Sequence, residues 1–235
     1  LELDFINEVD FISGAFPAKY GDKLSSVLDI RLRDGNRDDF LADINLSATG
    51  LGAVLEGPIG SKRKGSWLFA VNRSYLDLIF NAAGFGFVPE YTSAQFKGAY
   101  DFSDRNSLTV NLWGNLDKVT FNNDEEEDRQ DNESVLKNNQ NGYVNTYEFR
   151  TILSKKSVLK FNLGRTFSNF DYSGRDSTFT EIFSNISKEG NTTLKAEYIL
   201  NPSGLVQLET GMGMTFVNSN ADLYRQTDTT YFVDD

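Results

Sequence analysis

The chain has 235 residues, 39% of them hydrophobic, and 34 acidic against 23 basic side chains give it a formal charge of −11. Such a balance lacks the basic face that neutralises phosphates, which sets nucleic-acid binding aside. With no cysteine and no histidine, disulfides, thiolate metal sites and the usual base of Ser/His/Asp hydrolysis are excluded together. Any enzymatic chemistry would rest on carboxylates, lysines or tyrosines, and no two acids are singled out by spacing. The expectation is a protein that is not an enzyme and carries no cofactor or metal.

No window approaches eighteen uninterrupted apolar residues, so no transmembrane helix is expected. The N-terminal "LELDFINEVDF" alternates like a strand and shows neither an initiator Met nor a signal-peptide core, as expected of a piece of something longer. The next stretch, "SGAFPAKYGDKLSSVLDIRLRDGN" (13–36), is turn-rich in its first half and alternates in its second. It reads as a loop feeding one short strand, with Pro17 fixing φ and Gly14 and Gly21 allowing tight turns.

From there the chain reads as all-β, rich in Phe, Tyr, Thr, Val and Leu at alternating positions. The expected strands are 38–47, 51–59, 67–80, 91–103, 107–121, 142–153, 157–172, 191–200 and 204–224. Many exceed the usual five or six residues and match the roughly 9 to 11 that a tilted strand needs to cross a bilayer. "SDRNS" (103–107), "SKKS" (154–157) and "NPSG" (201–204) are tight turns. "GPIGSKRKGS" (57–66) stands where another is due, with Lys62, Arg63 and Lys64 suited to headgroup contact or to simple solubility. Long polar connections are expected at 81–90, 122–141 and 173–190, so that short and long alternate. Two faces differ as well: Phe96, Gly98, Tyr100 and Phe102 alternate with Gln95, Lys97 and Asp101, and Val206, Leu208, Met212, Met214 and Phe216 with Gln207, Glu209 and two glycines. A soluble sandwich would show the same period. Strand length and alternating connections favour an antiparallel up-and-down transmembrane β-barrel, partial at about nine strands.

In that context, Pro17, Ala18, Tyr20 and Gly21, then Ser25 to Leu32, then Asp34, Gly35 and Asn36, resemble the C-terminal end of the plug domain of TonB-dependent outer-membrane receptors. A second match, Glu56, Gly57 and Pro58 followed by Arg73, Ser74 and Tyr75, looks like that family's second and third barrel strands. The texture is most similar to the subgroup with a carboxypeptidase-regulatory-like leader domain, common in Bacteroidetes, and the motif-level likeness covers 1–121. The resemblance implies a plug end over 1–36, with Asp34, Gly35 and Asn36 as the plug–barrel hinge, and the first part of a barrel over 37–235. A complete barrel in such transporters has about 22 strands. It further implies residence in the outer membrane of a Gram-negative bacterium and contact with its lipid. Capture of a scarce nutrient such as a siderophore, cobalamin, glycan or peptide would be powered by the inner-membrane TonB complex, with a surface lipoprotein as a possible partner. The rival reading is a soluble all-β carbohydrate-binding or adhesin-like module.

Candidate site residues follow from placement. Asn72, Arg73 and Asp77, and later Glu148 and Arg150, are expected to face the lumen, where plug residues such as Asp22, Lys23 or Arg33 would pair with them. Phe85 and Phe87, with Asp124, Glu126 and Asp128 of the acidic run 124–133, are expected extracellular-loop contacts; the run lacks the Gly and oxygen spacing of an EF-hand, so a solvated loop is the favoured reading of the run itself. Trp67, Tyr75, Phe85, Phe87 and Tyr91, with Tyr143, Phe170 and Tyr172, are expected near an interfacial aromatic girdle.

Overall fold

The computed structural model describes residues 3–14, 16–21, 25–47, 50–60, 63–121, 123, 126–133, 135–176, 180–203 and 205–226. The protein is all-β apart from short helical turns. A two-stranded antiparallel hairpin, β1 (Ile6–Ser13) with β2 (Ser26–Leu32), precedes one nine-stranded antiparallel sheet. That sheet runs in chain order through β3 (Leu41–Leu46), β4 (Gly50–Ile59), β5 (Gly65–Ser74), β6 (Phe87–Asp101), β7 (Asn106–Phe121), β8 (Lys137–Ser154), β9 (Ser157–Arg175), β10 (Glu181–Ser203) and β11 (Val206–Arg225). Each strand pairs with its sequence neighbour, and β3 and β11 are the two edges, so the sheet is an open meander. No helix among the described residues is long and apolar enough to cross a membrane, which leaves strand crossing untouched.

The register sorts the sheet into two unlike faces. One carries the cross-strand rows Tyr147–Leu163–Leu194–Met214 and Phe149–Phe161–Ala196–Met212, continued by Leu108 on β7 and by Phe69 and Phe96 on β5 and β6. The other carries Thr146–Gly164–Thr193–Thr215 and Glu148–Asn162–Lys195–Gly213, continued by Thr109, Gln95 and Lys97. A period of two, kept in register over nine strands, is what gathers the apolar side chains on one face. The apolar band covers about nine residues on the longer strands, as at 108–116 and 208–216, and on β9 (159–167) Arg165 interrupts it.

That face is exposed: Ile44 at 75%, Met212 at 79% and Phe161 at 47% are representative. Nine strands about 4.8 Å apart and a band about nine residues tall give an apolar surface of about 1,000 Å², beyond the few hundred usual on a soluble monomer. The total accessible surface is 15951 Å², against about 10,600 Å² expected for a compact monomer of 26.4 kDa. The fully enclosed core is correspondingly small. Phe5, Val54, Leu68 and Ala70, with Leu32 against them, pack where the N-terminal segment lies on the other, polar face.

Several expectations are corrected. The third expected strand, 67–80, ends at Ser74, and helix α1 (Leu76–Ala83) follows. Gly84, at φ +77, closes α1, and Phe85 N–H returns to Phe80 O at 3.0 Å, the bond of a Schellman stop. The expected loop 173–190 is mostly strand, because β9 and β10 run on as a paired ribbon past the apolar band. The loop expected at 122–141 contains helix α2 (Glu126–Glu133) and the start of β8, and the one at 81–90 gives way to β6 at Phe87. The connections 60–64, 102–105, 155–156 and 204–205 at one end are all short, whereas the opposite end has 47–49, 75–86, 122–136 and 176–180. Long connections are therefore confined to one end, and only two of the four there are long.

Candidate functional site

Residues 32–39 form a strap that crosses the polar face of β4–β6, and its charges find partners there. Arg33 donates through both terminal nitrogens to Glu56 of β4, at 2.8 and 2.9 Å, a two-pronged geometry that fits guanidinium to carboxylate. The backbone N–H of Asn36 donates to the same carboxylate at 2.7 Å. Lys97 of β6, only 8% exposed, donates to Leu32 O at 2.6 Å and pairs with Asp34 at 2.8 Å. A buried ammonium is tolerated only when paired and hydrogen-bonded in this way. Arg37 reaches Asp101 at the end of β6, at 2.6 Å. Asn36 Oδ1 accepts the N–H groups of Asp38 and Asp39, turning the chain toward β3.

Gly35 explains how close the strap lies. A Cβ built there would stand 2.2 Å from the carbonyl oxygen of Trp67, so only glycine permits the approach. The Asp34, Gly35 and Asn36 expected as a hinge are thus held on the wall by three strong contacts and by a backbone contact. The expected wall partners differ too. Arg33 meets Glu56, while Asp22 and Lys23 lie outside the described residues. Asn72 is on the polar face, opposite Gly52 and Ser93. Arg73, the next residue, is on the apolar face, opposite Leu51 and Thr92, because neighbours in a strand alternate. Asp77 belongs to α1, so the three do not share a face. Glu148 and Arg150 do lie on the polar face.

Upstream, Pro17, Ala18, Tyr20 and Gly21 make one turn of 3₁₀ helix, Ala18–Tyr20, closed by Tyr20 N–H to Pro17 O at 2.9 Å. Tyr20 donates its hydroxyl to Asp29 of β2 at 2.6 Å, and Lys19 Nζ sits 4.8 Å from its ring centre. The bond to the Asp29 carboxylate holds the phenol above its ordinary pKa. The motif therefore anchors to its own hairpin.

At the end with the long connections, Phe80, Phe85 and Phe87 form a three-ring cluster with centroids 5.0, 5.5 and 6.0 Å apart. Asn132 of α2 donates to Gly86 O and to Asn123 Oδ1, each at 2.8 Å, and so fastens the acidic connection to the aromatic one. Glu126 pairs loosely with Arg129 at 3.8 Å, Asp128 lies beside Gly86, and Asp124 is outside the described residues. The aromatic girdle is corrected: Trp67 lies near the start of β5 and Tyr75 just past its far end, and Phe170 and Tyr172 are stacked on the polar face, whereas Tyr143 is on the apolar one. Lys62 is outside the described residues, and Arg63 pairs with Asp38. No group of three or more metal-ligating side chains occurs among the described residues.

Sequence reasoning placed Lys97 and Asp101 on one face but assigned neither of them, nor Glu56 and Arg37, a partner. The alternation of charge in "RLRDGNR" (31–37) was the available signal. The chain matches no family model, no curated protein and no solved structure.

Proposed function

We propose that this chain is part of a TonB-dependent outer-membrane receptor. The hairpin and strap form the end of its plug, and β3–β11 form the first nine strands of a transmembrane barrel. The apolar face then meets lipid and the polar face lines the lumen. The two free edges would be paired by further strands, since unpaired backbone is costly in water and intolerable in lipid. A nutrient is bound at the end with the long connections, near the Phe80, Phe85 and Phe87 cluster, and passes to the periplasm when the TonB complex rearranges the plug. The ligand undergoes no covalent chemistry.

The observation that carries this reading is the pairing of two features: a nine-strand face that is apolar and exposed, and an N-terminal strap seated on the opposite, polar face. A soluble sandwich would bury the apolar face against a second sheet. The motif from Pro17 to Asn36 adds to it.

The test is fractionation of the full-length protein on a density gradient, followed by sedimentation and far-UV circular dichroism with and without detergent. Recovery with the outer membrane, and release as a β-rich particle only in detergent, is the expected result. A compact monomer in plain buffer would overturn the reading and favour a soluble binding module.

A further inference from the structure

We infer that strands β7–β11 carry on their apolar face a site for one acyl lipid with a phosphate-bearing headgroup, an inference that rests on the membrane reading above. A depression of about 490 Å³ lies there, lined by Tyr147, Phe149, Phe161, Leu194, Met212 and Met214 among others. Its origin is local. In the row Phe149–Phe161–Ala196–Met212, Ala196 offers one methyl between two long side chains, so the surface sinks at β10. It crosses five strands, about 19 Å measured across them. That apolar lining suits an acyl chain.

The rows beyond it, toward the long connections, change character on the same face. The next row is Asn145–Arg165–Thr192–Phe216. Arg165 Nη1 donates to Thr192 at 2.8 Å, and its guanidinium lies over Gly190, where an added Cβ would stand 2.8 Å from Nη2. Two rows further on, Lys188 lies between Asn169 and Asn220. Other lysines on this face have carboxylates: Lys137 meets Asp171 at 2.8 Å and Lys118 meets Glu90 at 3.0 Å. Neither Arg165 nor Lys188 forms an ion pair among the described residues; Asp222, one row beyond Lys188 on the same face, stands directly opposite Ile186. Two cations without an ion pair at the border of an apolar surface suit an anionic headgroup. A phosphate supplies that charge, with the amides of Asn169, Asn218 and Asn220 beside it. A free phosphate would leave the depression empty.

The full-length protein is reconstituted in phosphatidylcholine vesicles containing a minor fraction of phosphatidylglycerol, floated, re-extracted in mild detergent and analysed for co-purifying lipid by mass spectrometry. The retained lipid is expected to be enriched in phosphatidylglycerol about fivefold over the vesicle composition. Arg165→Gln with Lys188→Gln should abolish that enrichment while Arg165→Lys keeps it, and Ala196→Phe should lower the total lipid retained. Unaltered enrichment in the double variant, or retained lipid that mirrors the vesicle, overturns the site while leaving the membrane reading standing. Protein that fails to float with the vesicles overturns both.

Discussion

Replacing Glu56 by Ala should detach the strap from the wall. Glu56 accepts both prongs of Arg33 and the N–H of Asn36, and its side chain is 12% exposed while that of Arg33 is 32% exposed. Breaking a buried pair by removing one partner costs about 3 to 5 kcal/mol; partial rehydration of Arg33 puts this case near 3, and the orphaned Asn36 N–H adds about 1. A loss of about 4 kcal/mol corresponds to roughly a 700-fold rise in the open population. Trypsin cleavage at Arg31, Arg33 or Arg37 of the full-length protein reads that population directly while reclosing outpaces cleavage. Arg33→Ala should cost a comparable amount, because it strands the more buried Glu56. The double variant should then cost clearly less than the sum, with a coupling of about 2 kcal/mol. Costs that add within about 0.5 kcal/mol, or cleavage unchanged by Glu56→Ala, would refute the pairing as the strap's anchor.

Gly35→Ala should force the strap away from Trp67, costing about 2 kcal/mol by the usual scale of overpacking; an unchanged melting temperature would show that the close approach is not required. Labelling of single cysteines introduced into this chain, which has none of its own, tests the two faces: in membranes, Phe161→Cys and Met214→Cys should resist an impermeant maleimide, whereas Asn162→Cys and Thr215→Cys should react once the lumen is opened to reagent. Equal labelling of the two pairs would sink the two-faced assignment. Asn132→Ala removes the donor to Gly86 O and Asn123 Oδ1 and should cost about 2 kcal/mol locally, read as faster amide exchange at 86–87 with β8 and β9 unaffected. Uniform loss of protection would mean that Asn132 supports the whole sheet.

Strand β7 was legible almost to the residue and β9 at its start, since the turn sequences "SDRNS" and "SKKS" stand directly before them and period-two alternation follows each; β9 then runs three residues past the expected 172. Helix α1 was not, because two turns give too few repeats to distinguish Leu76, Ile79 and Phe80 from a continuing strand. Gly84 was the missed stop signal. The 181–190 half of β10 was also hidden: beyond the apolar band neither face needs burial, so pairing rests on backbone bonds that leave no hydropathy pattern. At the site, the opposed faces of Asn72 and Arg73 followed from alternation alone and were within reach. The partners of the strap were not, because Arg37–Asp101 and Lys97–Leu32 join residues 64 and 65 positions apart. Only the registers of β4–β6 bring them together.

Those pairs also set the strap's position along the wall. The strap reads positive, negative, positive at Arg33, Asp34 and Arg37, and the wall answers negative, positive, negative at Glu56, Lys97 and Asp101. A shifted strap would place like charges together, so the network specifies one register as well as holding it, a role in which polar contacts count for more than their net stability. The Arg37–Asp101 pair, 33% and 43% exposed, is the place to test this, because its net worth is only about 1 kcal/mol. Arg37→Ala should therefore raise strap cleavage about fivefold, whereas Arg37→Asp should cost about twice that energy by adding repulsion. Combining Arg37→Asp with Asp101→Arg should recover most of the loss. If Arg37→Asp proves no worse than Arg37→Ala, and the swap recovers nothing, the sign pattern is incidental and the strap is placed by Gly35 and the Arg33–Glu56 fork alone.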